Sequence, residues 1–230
     1  MVFTMLPLDA LVFDAYGTLF NVHSVVAKCE ELFPGKGQAL SQLWRRKQLE
    51  YSWLRSLMDR YVDFNCVTGD ALSFACEALG LTCTEAIRIE LNQAYCTLQP
   101  FEDAIDNLQK LKIMQPARKL AILSNGAPEM LNAVVAYNQM ESMLDSVLSA
   151  DAAGIFKPDP RVYQLAVDRL QIPASRIGFV SSNGWDAAGA KAFGFTVFWV
   201  NRAHAPMEAL GTPPDFVMKS LWEIPTLMVG

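Results

Sequence analysis

The sequence predicts an α/β fold, a parallel sheet with helices on both faces, interrupted after its first strand by an inserted block of helices. Two observations predict this fold. Short apolar runs alternate with helical patterns after Pro100, and the segment between about 21 and 98 shows helical spacing with no strand. The expected division is a core of residues 1–20 and 99–230 with a helical-bundle cap of residues 21–98.

The first predicted strand is the apolar run from Leu11 to Phe13. Asp14 follows it directly, and Gly17 then breaks the chain. A short apolar run ended in this way is typical of a buried parallel strand. The strand would therefore deliver a carboxylate, that of Asp14, to the edge of the sheet.

The inserted block contains three predicted helices. Apolar residues recur at helical spacing from Leu40 to Tyr61, which predicts one long helix. Thr68 is expected to cap a second helix that stops at Gly80, and Thr84 is expected to cap a third.

From Pro100 onward the segments alternate in the rhythm of β-α-β units, which predicts parallel strands in a Rossmann-like sheet. Asp159 and Pro160 are expected to open one helix, because aspartate caps helix starts and proline suits the first helical position. The predicted helices span about 103–112, 128 onward, 160–170 and 187–193, and the predicted strands 120–123, 146–148, 177–180 and 196–200.

Composition limits the possible functions. The 230 residues are 52% hydrophobic and carry a formal net charge of −5, which argues against nucleic acid as a partner because phosphate binding needs excess Lys and Arg. An anionic substrate would need cations placed locally. The five cysteines form no C-x-x-C pair, as expected for reduced thiols in a cytoplasmic protein. Neither a signal peptide nor a membrane-spanning segment is predicted.

Polar side chains follow four of the predicted strands. In open α/β sheets, ligands bind beyond the carboxyl ends of the strands, so these side chains are expected to converge. They are Asp14 after the first strand, Ser124 and Asn125 after the second, Lys157 after the third, and Ser181, Ser182, Asn183 and Asp186 after the fourth.

Each candidate also has a structural interpretation. An aspartate after a strand often closes a turn, Asp186 is placed to cap a helix, and an isolated lysine such as Lys157 is by default a solvated cation. Arg45 fits an exposed helix face. His23 and His204 have no metal-ligand or triad partner at a recognisable spacing and are interpreted as structural.

Four segments can be compared with known motifs: residues 14–18 (DAYGT), 123–126 (LSNG), 157–163 (KPDPRVY) and 180–186 (VSSNGWD). In this order they resemble the four motifs of the haloacid dehalogenase superfamily. Together with residues 22–24, 43–51 and 149–151, they resemble more narrowly the L-2-haloacid dehalogenases. The resemblance covers nearly the whole chain and implies the haloacid dehalogenase fold with its helical cap.

The resemblance implies a hydrolase that acts on carbon–halide bonds. The Asp14 carboxylate would attack C2 of an (S)-2-haloalkanoic acid, and water would then split the ester to give the (R)-2-hydroxy acid with inversion. The implied catalytic residues are Asp14, Thr18, Arg45, Lys157, Tyr163, Ser181, Asn183 and Asp186. The implied substrate- and halide-binding residues are Ala15, Tyr16, Arg45, Leu49, Phe64, Ser124, Asn125 and Trp185.

The implied roles divide between the two anions and the nucleophile. Ser124 and the amides of Ala15 and Tyr16 would hold the substrate carboxylate, while Arg45 and Asn125 would receive the halide. Lys157 would balance the charges of Asp14 and Asp186, and Thr18 and Ser181 would orient the nucleophile. Asp186 with Asn183 would activate or position the water, and Tyr163 would support these residues by hydrogen bonding. The apolar wall for the alkyl part of the substrate would consist of Tyr16, Leu49, Phe64 and Trp185.

Tyr16 and Ser182 separate this reading from the superfamily phosphatases. Those enzymes usually have an acid at both positions, for protonating the leaving alcohol and for binding Mg²⁺, whereas a halide needs no proton. No metal and no cofactor are therefore expected. A Mg²⁺-dependent phosphatase and a non-catalytic binding protein remain as alternatives.

Two further features bear on assembly and access. The resemblance implies a homodimer. Arg46 stands where the resemblance gives glutamine, which changes the contacts expected at the entrance of the site.

Overall fold

The computed structural model describes residues 6–228. Their six parallel strands form one sheet in the order β3-β2-β1-β4-β5-β6, which confirms the predicted α/β fold. β1 lies between β2 and β4 and is fully buried, because both neighbours and both helical layers cover it. The strands are β1 Ala10–Phe13, β2 Lys119–Ser124, β3 Ser146–Ser149, β4 Ile177–Ser181, β5 Thr196–Val200 and β6 Phe216–Met218.

Nine α-helices accompany the strands within residues 6–228. Four of them lie between β1 and Pro100, and the other five begin after Pro100. The first four are α1 His23–Leu32, α2 Gly37–Leu57, α3 Phe64–Ala78 and α4 Glu85–Ala94, and the rest are α5 Ala104–Met114, α6 Pro128–Tyr137, α7 Pro160–Leu170, α8 Gly184–Phe193 and α9 Ile224–Met228.

Two of the three predicted caps are confirmed. The hydroxyl of Thr84 accepts from the backbone N–H of Ile87 at the start of α4, and Asp159 caps α7 by accepting from Arg161 N–H at 2.9 Å. The prediction for Thr68 is wrong. α3 begins one turn earlier, where Asp63 accepts from Cys66 N–H at 2.8 Å, and Thr68 is buried inside the helix.

The long helix of the insert begins and ends a few residues earlier than predicted. α2 ends at Leu57, so Tyr61 lies in the connection to α3. The side chain of Leu57 is 84% exposed, although its spacing suggested a buried face. α1, α9 and β6 were not predicted, because α9 and β6 are short and α1 has only two buried side chains to mark an apolar face.

The chain enters and leaves the four-helix segment at neighbouring points. Phe20 and Pro100 form an antiparallel bridge, and Asn21 N–H donates to the Gln99 carbonyl at 2.8 Å. The ends of β1 and α5 are therefore held together independently of the helices between them.

All five cysteines are free thiols; Cys29 and Cys76 are buried and Cys66 is exposed. Among residues 6–228, no helix combines the length and apolar character needed to cross a membrane.

Candidate active site

Asp14 lies directly after β1, at the carboxyl edge of the sheet. Its backbone N–H donates to the Val180 carbonyl at 2.9 Å, which continues the pairing of β1 with β4. The chain then turns at Gly17, whose φ of +88° suits glycine and few other residues. The turn brings the Thr18 hydroxyl back to donate to Asp14 Oδ2 at 3.0 Å. Asp14 is thus held in one orientation and is nearly buried.

Lys157 is buried between two carboxylates. Its Nζ donates to Asp14 Oδ1 at 3.2 Å, to Asp186 Oδ2 at 3.0 Å and to the Leu123 carbonyl at 2.6 Å. The interpretation of Lys157 as a solvated cation is wrong, because only 1% of the residue is exposed. Burial alone would lower the pKa of Lys157, but Asp14 and Asp186 outweigh it and the pKa is raised. The ammonium therefore stays charged.

Asp186 lies in the first turn of α8 and is fully buried. Its Oδ1 accepts from the Tyr163 hydroxyl at 2.8 Å, and its Oδ2 accepts from Ser181 Oγ at 3.0 Å as well as from Lys157. Burial raises the pKa of this carboxyl to about 6, although Lys157 and Tyr163 act in the opposite direction. Asp186 is not the helix cap, because Asn183 occupies that position.

Ser181 requires a correction. The resemblance assigned it to orient the nucleophile, but its hydroxyl donates to Asp186 and not to Asp14. Asp186 lies one helical turn beyond the end of β4 and reaches back over it, so its carboxylate is the acceptor that the Ser181 hydroxyl meets. Ser181 also accepts from Asn183 N–H at 3.1 Å, which fixes the start of α8.

Asn183 is the second side chain, after Thr18, that donates to Asp14 Oδ2, at 2.9 Å. The neighbouring backbone N–H of Ser182 donates to Thr18 Oγ1 at 2.9 Å, so the loop after β4 supports the loop after β1. Ser182 Oγ is buried without a partner among the described residues.

Ser124 and Asn125 follow β2. The Ser124 hydroxyl accepts from Gly126 N–H at 3.2 Å, and Asn125 Oδ1 accepts from Lys157 N–H at 2.9 Å, which leaves the Asn125 amide hydrogens without a partner among residues 6–228. A Cβ at position 126 would lie 2.7 Å from the Tyr16 ring. Glycine here lets that ring pack against the loop.

A small cavity lies between the sheet edge and the inserted helices. Its volume is about 20 Å³, which accommodates about one water molecule. The Tyr16 hydroxyl is buried without a partner among the described residues, and burial raises its pKa, so this wall is uncharged. The lining residues are Asp14, Tyr16, Arg45, Leu49, Phe64, Ser124, Asn125, Lys157, Asn183 and Trp185.

The structure thus brings most predicted site residues to one place. Arg45 and Leu49 come from α2, Phe64 comes from α3, and Arg45 is half-buried and forms no ion pair with a described residue. The outer residues Thr18, Ser181, Tyr163 and Asp186 stand behind the cavity wall and reach it through Asp14 and Lys157. A larger groove of about 520 Å³ beside β3 and α7 contains none of these residues.

A buried polar network behind Arg45 was not predicted. Gln48, one turn along α2, donates to Thr68 Oγ1 at 3.2 Å and accepts from the Tyr95 hydroxyl at 3.2 Å. Trp44 Nε1 donates to the Thr68 carbonyl at 2.8 Å. The only sequence signal was the i, i+4 spacing of Trp44 and Gln48 beside Arg45.

Two observations describe the groups that could bind a metal ion or a cation in the site. Within the described part of the chain, no group of three or more His, Cys, Asp or Glu side chains is arranged to hold a metal ion. The two carboxylates of the site, Asp14 and Asp186, both bind the Lys157 ammonium. The resulting centre has the Asp14 carboxylate with its fixed hydrogen-bond donors and, across a small cavity, the Arg45 guanidinium, which forms no ion pair within residues 6–228.

The chain was compared with known proteins. The sequence model of the haloacid dehalogenase-like hydrolases matches residues 8–194. The chain is 50% identical to the (S)-2-haloacid dehalogenase of Pseudomonas sp. strain YL, over 93% of this chain and 91% of that protein. It superimposes with a TM-score of 0.91 and 43% identity on the L-2-haloacid dehalogenase from Xanthobacter autotrophicus, covering 97% of this chain and 99% of that one.

A second structure of the Xanthobacter enzyme contains covalently bound chloropropionic acid. It matches with a TM-score of 0.90 and 42% identity, again over 97% of this chain and 99% of that one.

Proposed function

The chain belongs to the haloacid dehalogenase-like hydrolases and is a relative of the (S)-2-haloacid dehalogenases, and on that basis we propose how its own residues carry out the reaction. The protein hydrolyses short (S)-2-haloalkanoic acids to halide and (R)-2-hydroxy acids. The observation that carries the proposal is the Asp14 carboxylate, fixed by Thr18, Asn183 and Lys157 beside a cavity that also contains Arg45.

In the first step, an oxygen of Asp14 attacks C2 from the side opposite the halogen. The O–C2 bond forms as the C2–halogen bond breaks, and the halide leaves with the bonding electron pair. It needs a cation or donors but no proton. The guanidinium of Arg45 and the amide of Asn125 receive it; both line the cavity, and Arg45 forms no ion pair within residues 6–228.

The substrate carboxylate requires its own donors. The Ser124 hydroxyl and the backbone N–H groups of Ala15 and Tyr16 supply them; neither amide donates to another described residue. Holding the carboxylate here orients C2 toward Asp14, and such positioning lowers the barrier to attack.

In the second step, water attacks the carbonyl carbon of the Asp14 ester. Asp186 with Asn183 activates or positions this water, and Lys157 balances the charge that returns to Asp14 as the hydroxy acid leaves. Both Asp186 oxygens are already hydrogen-bonded. Asp186 therefore acts on the attacking water partly through Lys157, which it contacts.

The inserted helices act as a cap over this chemistry. We assign residues 21–98 to the cap and residues 1–20 and 99–230 to the core, because the chain crosses between them at the Phe20–Pro100 bridge. The rings of Tyr16, Phe64 and Trp185 exclude water and lower the local dielectric.

The decisive assay compares two reactions. We expect L-2-chloropropionate to release chloride in the presence of EDTA, and a phosphate ester with Mg²⁺ to release no phosphate. Phosphate release without chloride release would make the protein a superfamily phosphatase, and neither reaction would make it a binding protein.

The covalent step has its own test. After a single turnover in ¹⁸O water, mass analysis of the peptide containing Asp14 is expected to find label in that carboxylate. Label confined to the hydroxy acid would mean that water, and not Asp14, attacks C2.

We also propose a cytoplasmic homodimer. The five free thiols support a cytoplasmic location, because thiols stay reduced there. The exposed side chains of Leu54 and Leu57 on α2, of Met58 directly after it and of Phe74 on α3 support an apolar contact between two copies. Light scattering is expected to give a dimer that Leu57→Glu dissociates, whereas Ile113→Glu, at an equally exposed site on α5, leaves it intact.

A further inference from the structure

A second cavity lies on the outside of the inserted helices. This outer basin has a volume of about 430 Å³ and is formed between the start of α1 and the first half of α2, with Tyr95 completing its wall. His23 and Arg46, which the proposed reaction does not use, both line it. The other side chains that matter here are Val22, Val26, Gln42 and Arg45.

Among the described residues, the charged side chains that line the outer basin are two arginines, and the rest of the lining is His23 and uncharged side chains. Arg45 and Arg46 contribute two guanidinium groups, His23 contributes an imidazole, and no carboxylate lines the basin. Neither arginine forms an ion pair with a described residue. In a chain with a formal net charge of −5, such an unbalanced basic surface attracts anions locally.

The outer basin adjoins the catalytic cavity. Arg45 lines both, so its side chain forms part of the wall between them. The catalytic cavity, at about 20 Å³, is too small for a haloacid as it stands, whereas the outer basin has room for one.

We propose that the outer basin is an anion-docking site that holds the carboxylate of an incoming 2-haloalkanoate before it passes Arg45. This inference rests on the proposed function. Arg46 and His23 bind the carboxylate, Gln42 adds a hydrogen-bond donor, and Val22 and Val26 contact the short alkyl chain. A leaving halide shares the anionic charge but gains nothing from the two valines.

Arg46→Gln tests the proposal. We expect kcat/KM for L-2-chloropropionate to fall about three- to tenfold at low ionic strength with kcat unchanged, because the local anion concentration falls. The difference should shrink below about twofold at 0.5 M salt, where charges are screened within a few ångströms. His23→Gln is expected to lower kcat/KM further in the Arg46→Gln background.

Arg60→Gln is the matched control. Arg60 is also exposed, follows the same helix and makes no ion pair with a described residue, but it lies outside the outer basin. It changes the net charge equally and should leave kcat/KM unchanged. An equal decrease of kcat/KM in both variants would mean that only the net charge matters, and it would overturn the proposal.

Two readouts separate the alternatives. Weaker inhibition by added bromide, with kcat/KM unchanged, would assign the outer basin to the leaving halide and overturn the docking of carboxylate. Crystals of the full chain soaked in sodium bromide give a readout independent of turnover. An anomalous peak beside Arg46 that Arg46→Gln abolishes supports anion binding even if no haloacid is hydrolysed, and no peak in the wild type overturns it.

Discussion

At the scale of single residues, the charge balance of the site depends on Lys157. This ammonium is the only cation that hydrogen-bonds Asp14 and Asp186 within the described residues, and all three side chains are nearly or fully buried. Two carboxylates brought so close without it would repel each other at low dielectric.

Lys157→Met is therefore expected to destabilise the protein by about 3–5 kcal/mol at pH 8, because it leaves a buried charge uncompensated. Loss of the cation raises the pKa of Asp186 further, so the folded state binds more protons than the unfolded state. Stability then increases as the pH falls toward that pKa. Urea unfolding of wild type and variant at pH 8 and pH 5 checks this; a deficit of the same size at both pH values would contradict it.

We expect the Asp186 carboxyl to set the acid limit of activity. Burial raises its pKa to about 6, so on the proposed mechanism it takes up a proton as the pH falls through that value and no longer assists the water. The rate of ester hydrolysis is expected to fall below about pH 6.

Tyr163→Phe should move that limit. The Tyr163 hydroxyl donates to the ionised form of Asp186 and holds its pKa down, so its removal raises the pKa. We expect the acid limb of the kcat–pH profile to shift to higher pH in this variant. A profile that only decreases in height, with no shift, would assign Tyr163 a packing role.

The residues most easily predicted were those that follow strands. Asp14, Ser124 and Asn183 each lie where a strand ends, so the strand pattern alone placed them at one edge. The partner of Ser181 could not be predicted in this way, because the choice between Asp14 and Asp186 depends on how the first turn of α8 lies over β4.

At the scale of elements, three helices of the insert meet in a polar network. Gln48 of α2 links Thr68 of α3 to Tyr95, which follows α4, and the Tyr95 ring packs edge-on against Tyr16 at 5.9 Å. Pairs 20 and 47 residues apart leave no periodic signal in a sequence. For the same reason Thr68 was predicted to be a helix cap, whereas its hydroxyl accepts a hydrogen bond from Gln48.

Gln48→Leu is expected to cost about 1–3 kcal/mol, because it leaves the Tyr95 and Thr68 hydroxyls buried without that partner. Adding Tyr95→Phe removes one of the orphaned groups and should recover part of the loss. Denaturant midpoints of the single and double variants measure this coupling. Strictly additive losses would mean that Gln48 and Tyr95 act independently.

At the scale of the whole molecule, the cap contacts the core at a few defined points. The Tyr61 hydroxyl donates to Asp151 Oδ1 at 2.8 Å, Ser56 Oγ accepts from Phe156 N–H at 3.2 Å, and the ring of Trp53 packs against Trp185 at 5.3 Å. The cavity beneath these contacts accommodates about one water molecule, so we expect the inserted helices to move when substrate enters.

Tyr61→Phe removes one of these closing contacts. A loss of about 1 kcal/mol in the closed state raises KM by up to about fivefold with a smaller change in kcat, because closure follows binding. Tyr51→Phe is the matched control, since its hydroxyl makes no hydrogen bond among the described residues. Unchanged KM in both variants would mean that this contact has no part in closure.

The sequence predicted the boundaries of the cap but not its contacts with the core. A change from strand to helical periodicity marked the insert, but these cap–core contacts join residues 90 or more positions apart that no pattern connects. The positions of Arg45 and Phe64 over Asp14 followed from the family resemblance and not from spacing.

The bridge between Phe20 and Pro100 has a consequence for how such a protein diversifies. The two crossings lie side by side and hydrogen-bond each other. The inserted helices therefore form a segment whose two ends join the core at neighbouring points. A different helical segment joined at that point would keep Asp14 and Lys157, which belong to the core, and would replace Arg45, to which we assign the halide. On the proposed mechanism, we therefore expect the preferred leaving group to change when this one contiguous stretch of the chain is exchanged.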